Sequence, residues 1–237
     1  FPSAHFRQDD KHPEPNTMIS AKEYRDGVYR PNPAMARQIG VEPVWLQRQL
    51  VHYCEELEAS GKYQLFLWPY HCMLGSRGHR LAGVIEEATL FHSFTRGAAN
   101  LPEIKGGNPL SERYSIFKEE VTTCFDGRPI PGAQKNTRLI RTLLDADAVI
   151  LAGLASSHCV KESIADLLGD IQAQGAEVIV VPRATPETSW SRWRLVLRAA
   201  AVTSAAWVVS VNRPPEGVPS PIGGPSAVFS PAGEVVL

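Results

Sequence analysis

Apolar residues recur at helical spacing between Glu42 and Ser60, where Trp45, Leu46, Leu50, Tyr53, Cys54 and Leu57 share a face and Gly61 stands ready to cap the end. A helix is predicted there. The run YQLFLW, Tyr63 to Trp68, closes at Pro69 and predicts a short buried strand leading into the loop WPYHCMLGSRGHR. Beyond it, LAGVIEEA (81–88) has helical spacing, TLFHSFTR (89–96) has the β-branched and aromatic content of a strand, and KGGNPLSERYSIF (105–117) is broken by Gly and Pro into a loop. Asn136–Leu144 predicts a helix, AVILAG (148–153) a strand, SSHCVKESIADLLGDIQAQ (156–174) a helix, and GAEVIVVP (175–182) a strand. The Pro-rich opening, residues 1–42, predicts loops with one short helix near Ala21–Asp26. Strands alternating with helices predict an α/β fold: a mostly parallel sheet covered on both faces, with its sites at the carboxyl ends of the strands.

Charge narrows the chemistry. Across 237 residues, 24 basic side chains meet 25 acidic ones, a formal net charge of −1. Such a balance supplies no basic field for nucleic acid, and small-molecule chemistry is the expectation. No apolar run approaches the roughly 20 residues needed to span a bilayer, so no membrane partner is expected. The four cysteines, Cys54, Cys72, Cys124 and Cys159, lie far apart without a CxxC pair, which predicts reduced thiols and a cytoplasmic location.

One of those thiols sits where chemistry is expected. Cys159 follows the 148–153 strand and opens the next helix, among the small residues Gly153, Ala155, Ser156 and Ser157 that let backbone approach a ligand. Unpaired NH groups and the positive end of a helix dipole favour a thiolate, and the same NH groups can hold a developing oxyanion. Packing is the competing reading, because free cysteine is among the most buried residue types. Lys105, in EIKGGNP between glycines and a proline, is the candidate cation beside such a thiolate; a solvated surface lysine is its alternative.

Three motifs in order, LWPYHCMLGSRGH, EIKGGNPLSERYSIF and AGLASSHCV, resemble the isochorismatase-like cysteine hydrolases, in their nicotinamidase-related branch, over about residues 1–174. The resemblance implies a three-layer α-β-α fold and an Asp-Lys-Cys constellation that hydrolyses a small amide through a thioester, needing no cofactor for the covalent step. By position, Cys159 is then the nucleophile, Lys105 the polarising cation, and the backbone NH groups of Ala155 and Cys159 the oxyanion hole. His71 matches a histidine that binds a zinc-like divalent metal in that branch. The family also makes self-association an expectation. Its catalytic Asp ends a first strand that has no counterpart here, since Asp9 and Asp10 lie in a polar loop. The chain is therefore expected to be a fragment that begins after that strand and lacks its general base.

From about Gly175 the pattern changes. VVPRATP, an Arg- and Ala-rich helix, the strand WVVSVNR and the hairpin SAVFSPAGEVV resemble the C-terminal part of the nitrilase superfamily of carbon-nitrogen hydrolases. Residues 175–237 are accordingly expected to form a nitrilase-like strand-helix-strand-hairpin, with a junction near 170–175. The strands on either side of the 159–174 helix are expected to lie parallel in one sheet. For Arg183 and Trp190 a structural role is preferred over lining a pocket, and Asn212 and Arg213 are read as pinning a turn. Two further functions stay open beside the cysteine hydrolase: a catalytically inactive module that binds a small ligand, and a nitrilase or amidase.

Overall fold

The computed structural model describes residues 1–146, 149–151, 153, 158–174, 177–183, 185–212 and 224–237. They fall into two compact units, one of Phe1–Glu112 with Val121–Ala133, the other of Arg113–Glu120 with Gln134–Leu237.

The first unit contains β1 (His5–Arg7), β2 (Met18–Ile19), α1 (Ala21–Arg25), β3 (Tyr29–Pro31), α2 (Pro33–Ile39), α3 (Pro43–Ala59), β4 (Leu65–Phe66) and α4 (Gly83–Arg96). β1 pairs antiparallel with β3, and β2 with β4. The short α1 exists because Ser20 and Glu23 form a reciprocal capping box, the Ser20 hydroxyl accepting from Glu23 N at 3.2 Å and the Glu23 carboxylate from Ser20 N at 2.8 Å. α3 occupies the predicted span, and Gly61 takes the left-handed conformation just beyond its end. Its apolar face buries Leu46, Leu50, Tyr53, Cys54 and Leu57 against Ile19, Tyr24, Leu65 and Leu67. Gln49 is buried with them because its amide is paired, accepting from Phe125 N at 3.0 Å and donating to the Thr123 carbonyl at 3.4 Å.

The predicted 89–96 strand is absent. α4 runs unbroken through it to Arg96 and ends at Gly97, which is left-handed. No Gly or Pro interrupts the run after Ala88, and the hydroxyls of Thr89, Ser93 and Thr95 bond back to carbonyls three or four residues earlier. Continuity of the helix overrides β propensity here, where no strand among the described residues pairs with it. Leu90, Phe91 and Phe94 are exposed on it.

The second unit contains α5 (Thr137–Leu144), β5 (Val149–Ile150), α6 (Cys159–Gln174), β6 (Val178–Arg183), α7 (Trp190–Ser204), β7 (Trp207–Asn212) and β8 (Ala227–Phe229). The sheet order is β5-β6-β7-β8, with the first two pairings parallel and the last antiparallel. β5 and β6, on either side of the expected junction, are neighbours in register, Val149 opposite Ile179. The junction itself falls where α6 ends, and Gly175 and Ala176 lie outside the described residues. A core of Ile164, Leu167, Ile179, Val181, Leu197, Val208 and Phe229 joins α6 and α7 to the sheet. α6 and α7 also pack on each other, and the strands alternate accordingly: Ile179, Val181, Val208 and Ser210 are buried, whereas Val178, Trp207 and Val211 are exposed. The architecture is thus α/β, and the face carrying Val178, Trp207 and Val211 is open among the described residues, where the sequence led us to expect cover on both faces. No described helix is long and apolar enough to cross a membrane.

Candidate functional site

Cys159 is the first residue of α6 and follows β5, as its sequence position predicted. The helix starts there because the residues after it supply both an apolar face and a favourable first turn. Ile164 and Leu167 bury into the core, with Val160 and Leu168 packed beside them. Glu162 places a carboxylate near the positive end of the dipole, and its NH closes the first turn on the His158 carbonyl at 2.9 Å. Cys159 is half-buried, while Glu162, one turn on along the same face, is buried and paired with Lys161 at 3.0 Å.

The segment 113–120 lies along this helix and fixes its first two turns. The Tyr114 ring stands 5.3 Å from that of His158. Ile116 N donates to Ser163 Oγ at 3.1 Å, and that hydroxyl donates to the Cys159 carbonyl at 2.7 Å. Lys118 Nζ meets Asp166 Oδ1 at 3.2 Å, and the Arg113 guanidinium closes the segment on itself by donating to the Ile116 carbonyl at 2.6 Å. Burial pushes the His158 imidazole below its usual range, Lys161 adds to the effect, and Glu162 opposes it. A neutral imidazole therefore precedes the thiol at neutral pH. Tyr114, His158, Glu162 and Ser163 were not singled out in the sequence; Glu162 and Ser163, at three and four residues from Cys159, were findable by helical spacing.

The remaining site residues belong to the first unit or lie outside the described residues. Lys105 belongs to the first unit, half-buried in an irregular stretch that follows a helix rather than a strand. Ala155 lies outside the described residues. His71 is exposed, donates from Nδ1 to the Pro69 carbonyl at 2.7 Å, and has the Phe1 and Trp68 rings 6.0 Å away. That bond leaves Nε2 as its ligating atom. Yet among the described residues no three His, Cys, Asp or Glu side chains converge on a point, at His71 or elsewhere, so the groups present do not make up the donor set a metal requires. Asp9 and Asp10 are occupied by Arg7 and Arg30 in exposed ion pairs.

No family model matches the chain. The nicotinamidase of Escherichia coli (strain K12) is 33% identical over 140 residues, an alignment that covers 57% of this chain and 50% of that protein. The chain thus spans about half the length of the curated relative it matches. The crystal structure of the Caenorhabditis elegans NitFhit protein is 28% identical over 32% of this chain and 18% of its own, with a TM-score of 0.28.

Proposed function

We propose that the chain carries the nucleophile of a cysteine hydrolase that cleaves the carbon-nitrogen bond of a small amide, nicotinamide or a close relative. The observation that carries this reading is the position of Cys159, at the first residue of α6, the helix that follows the parallel strand β5 in the chain, within a chain 33% identical over 140 residues to a nicotinamidase. The Cys159 sulfur attacks the amide carbonyl, and the resulting oxyanion is held by the backbone NH groups of Ala155 and Cys159. Collapse breaks the C–N bond; the nitrogen takes a proton and leaves as ammonia, and a thioester remains. Water then adds to the thioester, releasing the acid and returning the thiol. The general base that the resemblance calls for is an Asp at the end of a strand, and no metal enters the sequence of steps. A second helical layer in the parent fold covers the sheet face that holds Val178, Trp207 and Val211.

The test is ammonia release from nicotinamide by the chain extended upstream with a strand ending in Asp. Turnover should fall by on the order of 10³-fold or more in Cys159→Ala. Retained turnover in that variant removes the assignment. Saturable nicotinamide binding without ammonia release, in the extended chain with Cys159 intact, favours the inactive binding module instead.

A further inference from the structure

Arg183 ends β6 opposite Asn212, the last residue of β7, so it stands at the carboxyl ends of two parallel strands. It is only 7% exposed. From the sequence, lining a pocket was the lesser reading of this arginine and a structural role the preferred one, but its surroundings are unusual for a buried cation. Nε donates to Ser210 Oγ at 2.5 Å, Nη1 to Thr185 Oγ1 at 2.9 Å and Nη2 to the Pro225 carbonyl at 2.6 Å. All three acceptors are neutral. No Asp or Glu among the described residues pairs with it, and Glu187, the nearest acid along the chain, is exposed on the turn before α7. A guanidinium has five N–H donors, so Nη1 and Nη2 each keep one that no described residue accepts.

The walls are aromatic. The guanidinium carbon lies 5.0 Å from the Trp190 ring centroid and 5.9 Å from that of Trp193, and both indoles are half-buried. Trp190 opens α7, whose N-terminus has no side-chain cap and no acidic residue in its first turn. The positive end of that helix therefore adds to the charge of Arg183 instead of offsetting it. Asn212 does not compete for a ligand: its Oδ1 accepts from Thr185 N at 3.2 Å, and its Nδ2 donates to the carbonyls of Thr185 and Gly224. A buried charge without a counter-ion is several kcal/mol less favourable than a paired one, and cation–π contacts recover only about 1 to 2 kcal/mol of that.

We propose that Arg183, with Trp190 and Trp193, forms a binding site for a small carboxylate at the carboxyl ends of β6 and β7. The two remaining N–H donors suit the two oxygens of a carboxylate, and the indoles suit a flat apolar body behind it. The site is built from the second unit alone and does not depend on the Cys159 reading.

Benzoate is the probe, added to the full chain at fixed ionic strength and read by the indole N–H resonances, which are assigned with Trp190→Phe and Trp193→Phe. Saturable shifts are expected at Trp190 and Trp193, with Trp45, Trp68 and Trp207 unmoved. Benzyl alcohol, of similar shape and no charge, should bind at least tenfold more weakly. Shifts that fail to saturate, shifts confined to other indoles, or equal binding of the alcohol would each overturn the proposal. An Arg183→Gln chain that keeps dispersed indole signals should lose at least tenfold in benzoate affinity, and unchanged affinity there overturns it as well.

Discussion

Replacing Ser163 by Ala tests how the 113–120 segment is held against the helix that begins at Cys159. The side chain is 7% exposed and makes two bonds, one from Ile116 N at 3.1 Å and one to the Cys159 carbonyl at 2.7 Å. Losing the first leaves a half-buried N–H without its acceptor, a loss of about 1 to 1.5 kcal/mol, in the lower part of the range for a buried donor. Losing the second matters less, about 0.5 kcal/mol, because a carbonyl inside a helix retains its backbone partner. Alanine restores about 0.5 kcal/mol through its better helix propensity. The net destabilisation is therefore about 1 to 1.5 kcal/mol, close to a tenfold change in the unfolding equilibrium. Urea unfolding followed by far-ultraviolet circular dichroism reads it as a lower midpoint at an unchanged slope. Lys118→Ala is the contrast, since its pair with Asp166 at 3.2 Å has a half-exposed lysine and should contribute at most about 0.5 kcal/mol. If the two variants unfold at the same midpoint, or Ser163→Ala is as stable as the parent, the Ser163 hydroxyl does not hold the segment and the reasoning is refuted.

Gly233→Ala should destabilise the C-terminal hairpin by about 1 to 3 kcal/mol, because Gly233 has φ +80° and an added Cβ would sit 2.7 Å from Val202 Cγ2; an unshifted thermal midpoint would count against it. The buried His5 imidazole, bonded to the Tyr24 hydroxyl, is pushed down to about 3, chiefly by burial. Its folded value lies below its unfolded one, so stability is full above about pH 6.5 and is lost at up to about 1.4 kcal/mol per pH unit as pH falls toward 3. His5→Gln should flatten the acid limb of a stability-versus-pH curve, and an unchanged limb would show that another group is responsible. Burial raises the Cys54 thiol to about 12 and also raises Cys124, whereas Cys72 is exposed and Cys159 half-buried. Iodoacetamide under native conditions should therefore label Cys72 and Cys159 well before Cys54 and Cys124, an order that peptide mass spectrometry checks.

Much of the fold was legible where local rules act alone. The 3.6-residue spacing of α3 and the Ser20–Glu23 pair at α1 act within a turn or two of chain, so these elements could be read without knowing what packs on them. The same holds for Cys159, whose place between an apolar run and a helical one located it at a strand-to-helix junction. The stretch 89–96 was misread because Leu90, Phe91, Phe94 and Thr95 suit a strand by composition, whereas among the described residues no strand pairs with it and the helix runs through to Arg96. His71 resembled a metal ligand in its motif, but ligation depends on side chains brought in from elsewhere, which a single motif cannot reveal.

The amino-acid sequence by itself determined the order of helices and strands around the thiol and a nearly even balance of charge, because both follow from periodicity and composition. The strand-helix-strand order allowed β5 and β6 to share a sheet, but only the tertiary structure decided their register, Val149 opposite Ile179, since pairing joins residues some thirty apart. It alone decided that segment 113–120 braces the Cys159 helix through Ser163. And it alone showed Arg183 buried beside two indoles with only neutral acceptors among the described residues, because burial and pairing are properties of a surrounding that sequence neighbours do not supply.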